Sequence, residues 1–360
     1  MDGGECMMHN RRYSGFELLR IISMYMIVLI HANMYLPQFC EGNANVFYNG
    51  FVNGICNIGV TCFILISGYF GVNYNLKKLL KMECMMISFS ILETVMLLFV
   101  MPGELQGAAL LEQIVKSCMP FVTRKYWFYS CYICLLIFSK YINRFVDSLE
   151  QEEFKKLIVV LLIIFSVFPT LFYFEIIPDN GKGLFQMLII YLLGRYIGKF
   201  GMQHIGRMSK TARVVLFFAF WIMNGISHEI PISLGGIYHH LCKDNSITNI
   251  VMALLLLSFV KEWKLQSRFI NTLSKYVFAI FALNNTMVTI VMYLLQEADL
   301  LHPRGWFGGP ILFLIVGGIM VVCLLLGVVR EMILGKPENK IIHFLCDKVD
   351  EPRGRSVRLF

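Results

Sequence analysis

The stretch FELLRIISMYMIVLIHAN, residues 16–33, decides the fold because it reads as the start of a membrane span and yet carries three ionisable residues, Glu17, Arg20 and His31. An ionisable side chain at the centre of a bilayer costs about 2.5–3.5 kcal/mol on insertion scales, so such residues are rare in spans and are usually functional. The stretch therefore predicts both a membrane helix and a candidate site on that helix.

The composition extends this prediction to the whole chain. Of its 360 residues, 57% are hydrophobic and only 16% are charged, whereas a soluble domain has about 25% charged residues. Apolar runs of about 20 residues recur along the chain, and they predict an all-α integral membrane protein, a bundle of about ten transmembrane helices. The predicted spans are residues 15–35, 51–71, 82–101, 126–142, 157–177, 184–200, 213–230, 248–260, 276–296 and 309–330.

The distribution of positive charge predicts the topology. If the N-terminus is cytoplasmic, 24 of the 32 Lys and Arg residues fall in cytoplasmic segments and 6 fall in outer loops, as the positive-inside rule requires. Both termini are therefore expected in the cytoplasm, and the net charge of +8 needs no nucleic acid as a partner. We expect a cytoplasmic segment at residues 1–14, a ten-helix membrane domain at 15–330 and a basic cytoplasmic tail at 331–360. The first span lacks a cleavable signal pattern and should be retained.

The ionisable residues of the first span fall on one helical face. Arg20 and His31 are 11 residues apart, which is three turns plus about 20°, and Glu17 lies three residues before Arg20, within reach of an ion pair. Arg20 and His31 are then about 16 Å apart along the helix axis. Such a stripe should face the bundle interior or a water-filled cavity. Two alternatives stay open: Glu17 and Arg20 as interfacial anchors, and His31 as a polar residue hydrogen-bonded to a neighbouring helix.

Several blocks, in order, resemble the acyltransferase-3 family of integral-membrane acyltransferases. Arg20 and His31 match the family's spacing of an Arg, ten residues and a His on the first helix. The second span, GVTCFILISGYFG, contains the family's Ser-Gly-Tyr ending at residues 67–69, and KYWFYSCYICLLIFSKYINRF at 125–145 resembles its Tyr-Trp-Phe segment. The segments LIIYLLGRYIGKF and LSKYVFAIFALNN resemble later family blocks, so the resemblance covers most of residues 11–290.

The resemblance implies transfer of an acyl group, usually acetyl, from cytoplasmic acetyl-CoA to a hydroxyl of a surface glycan or its lipid-linked precursor, in a bacterial cell membrane. It implies His31 as the general base, since a neutral imidazole suits proton removal near pH 7, with direct transfer and an acyl-histidine intermediate both open. Glu17 would hold Arg20, and a basic mouth near the cytoplasm would bind the CoA phosphates. The candidate donor-binding residues are Arg20, Lys77, Lys78, Lys81, Ser67 and Tyr69, the last two of which could equally serve helix packing.

The sequence departs from the family pattern at two places. Many relatives have an Arg-x-x-Arg pair after the second span, where this chain has Lys78 and Lys81; lysine supplies the charge but lacks a planar fork for phosphate. Many relatives also end a later block with Tyr-Leu-x-His, where this chain has Leu283, Asn284 and Asn285. The second departure removes another candidate base.

The acceptor-binding candidates are Tyr126 and Trp127, whose rings suit a sugar but are also common at membrane interfaces, and Glu93, a deep carboxylate that needs a partner. Glu175 is a weaker candidate. No His or Glu spacing predicts a metal site, and the Cys131-x-x-Cys134 pair is a weak redox candidate inside an apolar helix. The rival functions are a glycan-precursor transporter or flippase, an enzyme that uses a larger acyl group, and a sensor with a degenerate site. Membrane lipid is an expected partner, and a homo-oligomer stays open.

Overall fold

The computed structural model describes residues 13–172, 175–229 and 240–350, and every regular element in these ranges is a helix. The predicted all-α fold is confirmed. The α-helices are α1 (Ser14–Ala32), α2 (Gly42–Cys56), α3 (Ile58–Phe70), α4 (Leu76–Val100), α5 (Gly107–Cys118), α6 (Trp127–Ser148), α7 (Gln151–Leu162), α8 (Phe168–Phe172), α9 (Leu184–Phe200), α10 (Gln203–Arg207), α11 (Lys210–Glu229), α12 (Ile247–Glu262), α13 (Arg268–Leu273), α14 (Val277–Glu297) and α15 (Gly308–Asp350).

Six helical segments of the described residues are long and apolar enough to cross a membrane. They are Ser14–Gln38, Gly42–Phe70, Leu76–Val100, Gln151–Phe172, Arg268–Glu297 and Gly305–Asp347. The other four predicted spans are occupied by α6, α9, α11 and α12, which are shorter or less apolar. The chain thus has the helices of a multi-pass membrane protein, while the count of ten spans and the cytoplasmic position of the termini stay predictions.

The interruptions between consecutive helices have local causes. The helix α3 ends at Gly71, whose φ of +74° is a conformation that glycine adopts without steric cost. The predicted span 157–177 is divided into α7, a π-helical turn at Ile163–Val167, and α8. Pro169 lies just after this turn, and because proline has no N–H to donate, the regular α-helical bonding is broken there.

The last helix continues through the predicted boundary after Arg330 and reaches Asp350 without a break. The guanidinium of Arg330 pairs with Glu338 at 2.7 Å, and both side chains are buried. Further along, Lys77 Nζ on α4 donates to His343 Nε2 on α15 at 2.7 Å. The described part of the predicted tail is therefore a continuation of α15 that packs against α4.

The first helix lies inside the bundle, in contact with α2, α3, α12, α14 and α15. Its neighbour α3 approaches α9 so closely that a Cβ atom on Gly68 would lie 2.3 Å from the carbonyl oxygen of Tyr191. A Cβ atom on Gly194 would lie 2.5 Å from the carbonyl oxygen of Leu65. Small residues allow this backbone contact between membrane helices, which explains the glycine of the Ser67-Gly68-Tyr69 motif.

Candidate active site

At one end of α1, Arg20 and Glu17 form an ion pair with an Nη1–Oε1 distance of 2.7 Å. Both side chains are at most partly exposed, at 27% for Arg20 and 12% for Glu17. Arg20 also lies within electrostatic range of Lys78 on α4. We call the end of the bundle that holds Arg20, Lys78 and Lys275 the Arg20 end, and the opposite end the His31 end.

A cavity of about 240 Å³ opens beside Arg20. Aromatic residues are the largest group in its lining, and its polar groups come from Arg20, Ser67, Tyr129, Tyr132, Ser274 and Lys275. Its aromatic lining residues include Phe63, Phe128, Phe278 and Phe281. The volume is below the roughly 300–1,000 Å³ of sites that hold drug-sized ligands, so this cavity suits a slender chain rather than a nucleotide.

The predicted basic mouth is only partly assembled. Lys78 lies within electrostatic range of Arg20, but Lys77 bonds to His343 and Lys81 lies 3.6 Å from Glu331, so both of these lysines contact α15. Helical geometry explains this difference. Lys77 and Lys81 are four residues apart and share one face of α4, whereas Lys78 follows Lys77 directly and points about 100° away from it. Lys81 lines a second cavity of about 250 Å³ together with Lys275 and Arg330.

Lys275 is the cation shared by the two cavities. In the sequence, Lys275 counts only among the predicted cytoplasmic charges, and no motif marks it as a site residue. It lies in a short 3-10 helix, Ser274–Tyr276, directly before α14.

The two donor-channel candidates on α3 lie in different places. Ser67 lines the cavity beside Arg20 and donates a hydrogen bond to the Phe63 carbonyl at 3.0 Å. The ring of Tyr69 instead stacks on Phe16, with centroids 5.0 Å apart, and Lys261 lies 5.9 Å from the Tyr69 centroid. Tyr69 thus belongs to an aromatic cluster outside the cavity lining.

His31 lies at the other end of the stripe, against α14. Its Nδ1 is hydrogen-bonded to Oδ1 of Asn284, and the amide nitrogen of Asn284 donates to the Phe281 carbonyl. Phe281 also lines the cavity beside Arg20, so one lining residue of that cavity lies within one helical turn of Asn284, which holds His31. In the sequence, Asn284 is notable only because it belongs to the segment in which many relatives have a second histidine. In the structure it is a direct partner of the candidate base.

Two of the three acceptor-binding candidates, Glu93 and Tyr126, form a buried network, and Trp127 lies outside it. The carboxylate of Glu93, 2% exposed, accepts hydrogen bonds from the Tyr126 hydroxyl and, at 2.9 Å, from Thr286 Oγ1. It also pairs with Lys125 Nζ at 3.0 Å. The partner that a deep carboxylate needs is thus Lys125. Trp127 packs on Phe128 with centroids 5.9 Å apart.

Two further acidic residues lie in the loops of the His31 end. Glu175 pairs with Lys243 at 2.8 Å. Burial raises the pKa of Asp244 to about 7, nearby Asp179 acts in the same direction, and Lys182 opposes the shift. Lys182 also lies within electrostatic range of His31, and no motif in the sequence indicated this proximity.

The remaining predicted features are outside the site. Glu229, the last residue of α11, accepts a hydrogen bond from Asn49 at 2.7 Å. Cys131 and Cys134 are free thiols. Within the ranges that the structure describes, no group of three or more His, Cys, Asp or Glu side chains could hold a metal ion.

Comparison with known proteins identifies the family. A family model described as an acyltransferase domain, that of the acyltransferase-3 family, matches residues 13–330. No curated protein and no solved structure matched the chain. The matched region contains all of α1 and every candidate residue described above, and it covers well over half of the chain. The chain therefore belongs to the acyltransferase-3 family and is a membrane acyltransferase.

Proposed function

We propose that this protein transfers an acyl group, with acetyl as the expected one, from acyl-CoA to a hydroxyl of a surface glycan or its lipid-linked precursor. The observation that carries the proposal is the arrangement of α1. Near one end of α1, Arg20 lines a cavity, and near the other end His31 is hydrogen-bonded to Asn284. A cation at the entrance and a base at depth match a donor with phosphates at one end and a thioester at the other.

The Arg20 end is the proposed donor entrance, and it would face the cytoplasm. Lys78 and Lys275 lie there with Arg20 and supply positive charge for phosphates. The narrow aromatic cavity then suits the thin arm that links the nucleotide of CoA to its thioester. Glu17 would keep the Arg20 side chain at the entrance through their ion pair.

His31 is the proposed general base. The acceptor oxygen attacks the thioester carbon while its proton passes to the imidazole, and the C–S bond then breaks. The imidazolium returns the proton to the departing thiolate, so that CoA leaves as a thiol and the histidine is neutral again. Transfer through an acyl group carried on His31 would give the same products.

The test uses purified protein in nanodiscs with radiolabelled acetyl-CoA and a crude cell-surface glycan extract. Labelled glycan is expected, and the His31→Ala variant should lose labelling by roughly 10²–10⁴-fold, the contribution of a general base, while still showing a cooperative thermal unfolding transition. His302→Ala is the matched control, because His302 is an exposed histidine in a loop, 57% accessible, and should keep full activity.

Full activity in the His31→Ala variant would refute the base assignment while leaving the family intact. Movement of a glycan precursor without any dependence on CoA would instead favour a transporter or flippase. Labelling by a longer acyl-CoA in preference to acetyl-CoA would replace the expected acyl group and leave the rest of the mechanism unchanged.

A further inference from the structure

Asn284 uses both ends of its side-chain amide. The residue is buried, at 4% exposure, in the middle of α14. Its Nδ2 donates to the Phe281 carbonyl at 2.5 Å, and its Oδ1 faces Nδ1 of His31. A carbonyl oxygen cannot donate, so the group that points at Phe281 must be the NH2 and the group that points at His31 must be the amide oxygen.

This orientation fixes the protonation of the histidine ring. An amide oxygen is only an acceptor, so Nδ1 of His31 has to carry the hydrogen in the bond between them. In a neutral imidazole only one nitrogen carries a hydrogen, and Nε2 is then left with a free lone pair. The nitrogen that could accept a proton is thus the one that points away from Asn284.

We propose that Asn284 is a positioning residue that holds His31 as the Nδ1–H tautomer and presents Nε2 to the acceptor hydroxyl. This inference rests on the function proposed above. An unpartnered imidazole can place its hydrogen on either nitrogen and can rotate about its side-chain bonds. A hydrogen bond from the other ring nitrogen removes both freedoms, as carboxylates and carbonyls do for catalytic and metal-binding histidines.

The chain offers a matched control in the next residue. Asn285 is exposed, and the contact seen there is through its backbone oxygen, which accepts from Thr289 Oγ1 at 3.1 Å. Residues next to each other on a helix point about 100° apart, so Asn285 cannot take the place of Asn284. Replacement of Asn285 by Ala keeps the helix and should leave His31 unchanged.

The experiment records nitrogen NMR spectra of the purified protein with labelled histidine, at mildly alkaline pH and without donor or acceptor. The His31 signals are assigned by their loss in His31→Gln. The wild type and Asn285→Ala should show Nδ1 protonated and Nε2 unprotonated. Asn284→Ala should lose this preference, and Asn284→Asp, which keeps an acceptor oxygen against Nδ1, should retain the hydrogen on Nδ1.

Activity supplies the second readout, in the glycan-labelling assay described above. Asn284→Ala should lower kcat by roughly 10–100-fold, the usual effect of removing such a supporting contact, with the KM for the donor unchanged. Asn284→Asp should recover part of the loss, and Asn285→Ala should match the wild type. A loss of structure alone would lower the signal of both Asn284 variants equally and would not restore activity in the aspartate.

An Nε2–H tautomer in the wild type, or an unchanged spectrum and kcat in Asn284→Ala, would overturn the inference. The spectrum does not depend on the proposed reaction, so its failure is separable from that of the function. If His31→Ala abolishes transfer and Asn284→Ala does not affect it, the proposed function stands and the positioning role falls. If no transfer is found at all, the proposed function falls with the catalytic part of this inference, and the spectrum still decides the tautomer.

Discussion

Replacement of Lys125 by Met should destabilise the protein by removing the cation that pairs with the buried carboxylate of Glu93. In the structure Lys125 Nζ lies 3.0 Å from Glu93, and the two side chains are 11% and 2% exposed. The variant keeps two neutral donors on Glu93, the Tyr126 hydroxyl and Thr286 Oγ1. An uncompensated charge then remains in a part of the molecule from which water is excluded.

The expected loss in the free energy of unfolding depends on whether the charged Glu93 carboxylate stays buried without its cation. Removal of one partner of a buried ion pair costs about 3–5 kcal/mol, while replacement of both partners by neutral residues is often close to neutral. The double variant Lys125→Met with Glu93→Gln should therefore recover most of the loss. It still lacks the hydrogen bond from Lys125 Nζ to Ser90 Oγ at 2.6 Å, so a residual cost of about 1 kcal/mol is expected.

The assay is reversible unfolding in mixed micelles, with dodecyl sulfate as the denaturant, on the wild type, both single variants and the double variant. Lys116→Met is the control, because Lys116 pairs with Glu112 on an exposed face of α5, and it should leave stability unchanged. The reasoning fails if Lys125→Met is as stable as the wild type. It also fails if the double variant is no more stable than Lys125→Met alone.

Three further perturbations test other contacts. Gly68→Ala puts a Cβ atom 2.3 Å from a backbone oxygen of α9 and should cost about 1–3 kcal/mol of unfolding free energy, whereas Gly318→Ala, with no atom within 4 Å, should cost nothing. Lys275→Ala should raise the KM for acetyl-CoA by about two- to fivefold and leave the KM for a phosphate-free acetyl thioester unchanged. Lys77→Ala, the control, should change neither KM. Asp244 has a folded pKa of about 7 against 3.8 when unperturbed, so its contribution to stability is full below about pH 4 and is lost as the pH rises through 7. Asp244→Asn should remove this loss in thermal unfolding measured across that range.

The sequence predicted the positions of the helices well and their ends less well. Each of the ten predicted spans falls largely on helix in the described residues, although 51–71 covers parts of α2 and α3 and 157–177 is divided between α7 and α8. Apolar runs predict these positions because they mark burial in either the protein core or lipid. The second span was predicted to begin at residue 51, but α2 begins at Gly42. The added turns contain Asn49, which bonds to Asn33 and Glu229 inside the bundle. A hydropathy scan scores polar residues such as Asn49 as unfavourable in a membrane span, whereas in the folded protein their side chains hydrogen-bond to one another.

The site could be predicted where its contacts are local. The Glu17–Arg20 pair follows from a spacing of three residues on one helix. The bond between His31 and Asn284 joins residues 253 positions apart. The pair of Glu93 with Lys125 joins α4 to the loop before α6, so neither contact has a periodic signal in the sequence. These contacts depend on how the helices pack, which helix periodicity does not encode.

The helix α14 connects the candidate base to the buried ion-pair network. Asn284 holds His31, and Thr286, two residues later, donates to Glu93. Two residues on a helix point about 200° apart, so opposite faces of α14 contact α1 and α4. An acceptor that bound Glu93 would have to displace Tyr126, Thr286 or Lys125 from its carboxylate. The network accounts for the burial of Glu93 and Tyr126 without any acceptor. The acceptor proposed above would therefore be more easily accommodated on the Nε2 side of the His31 imidazole.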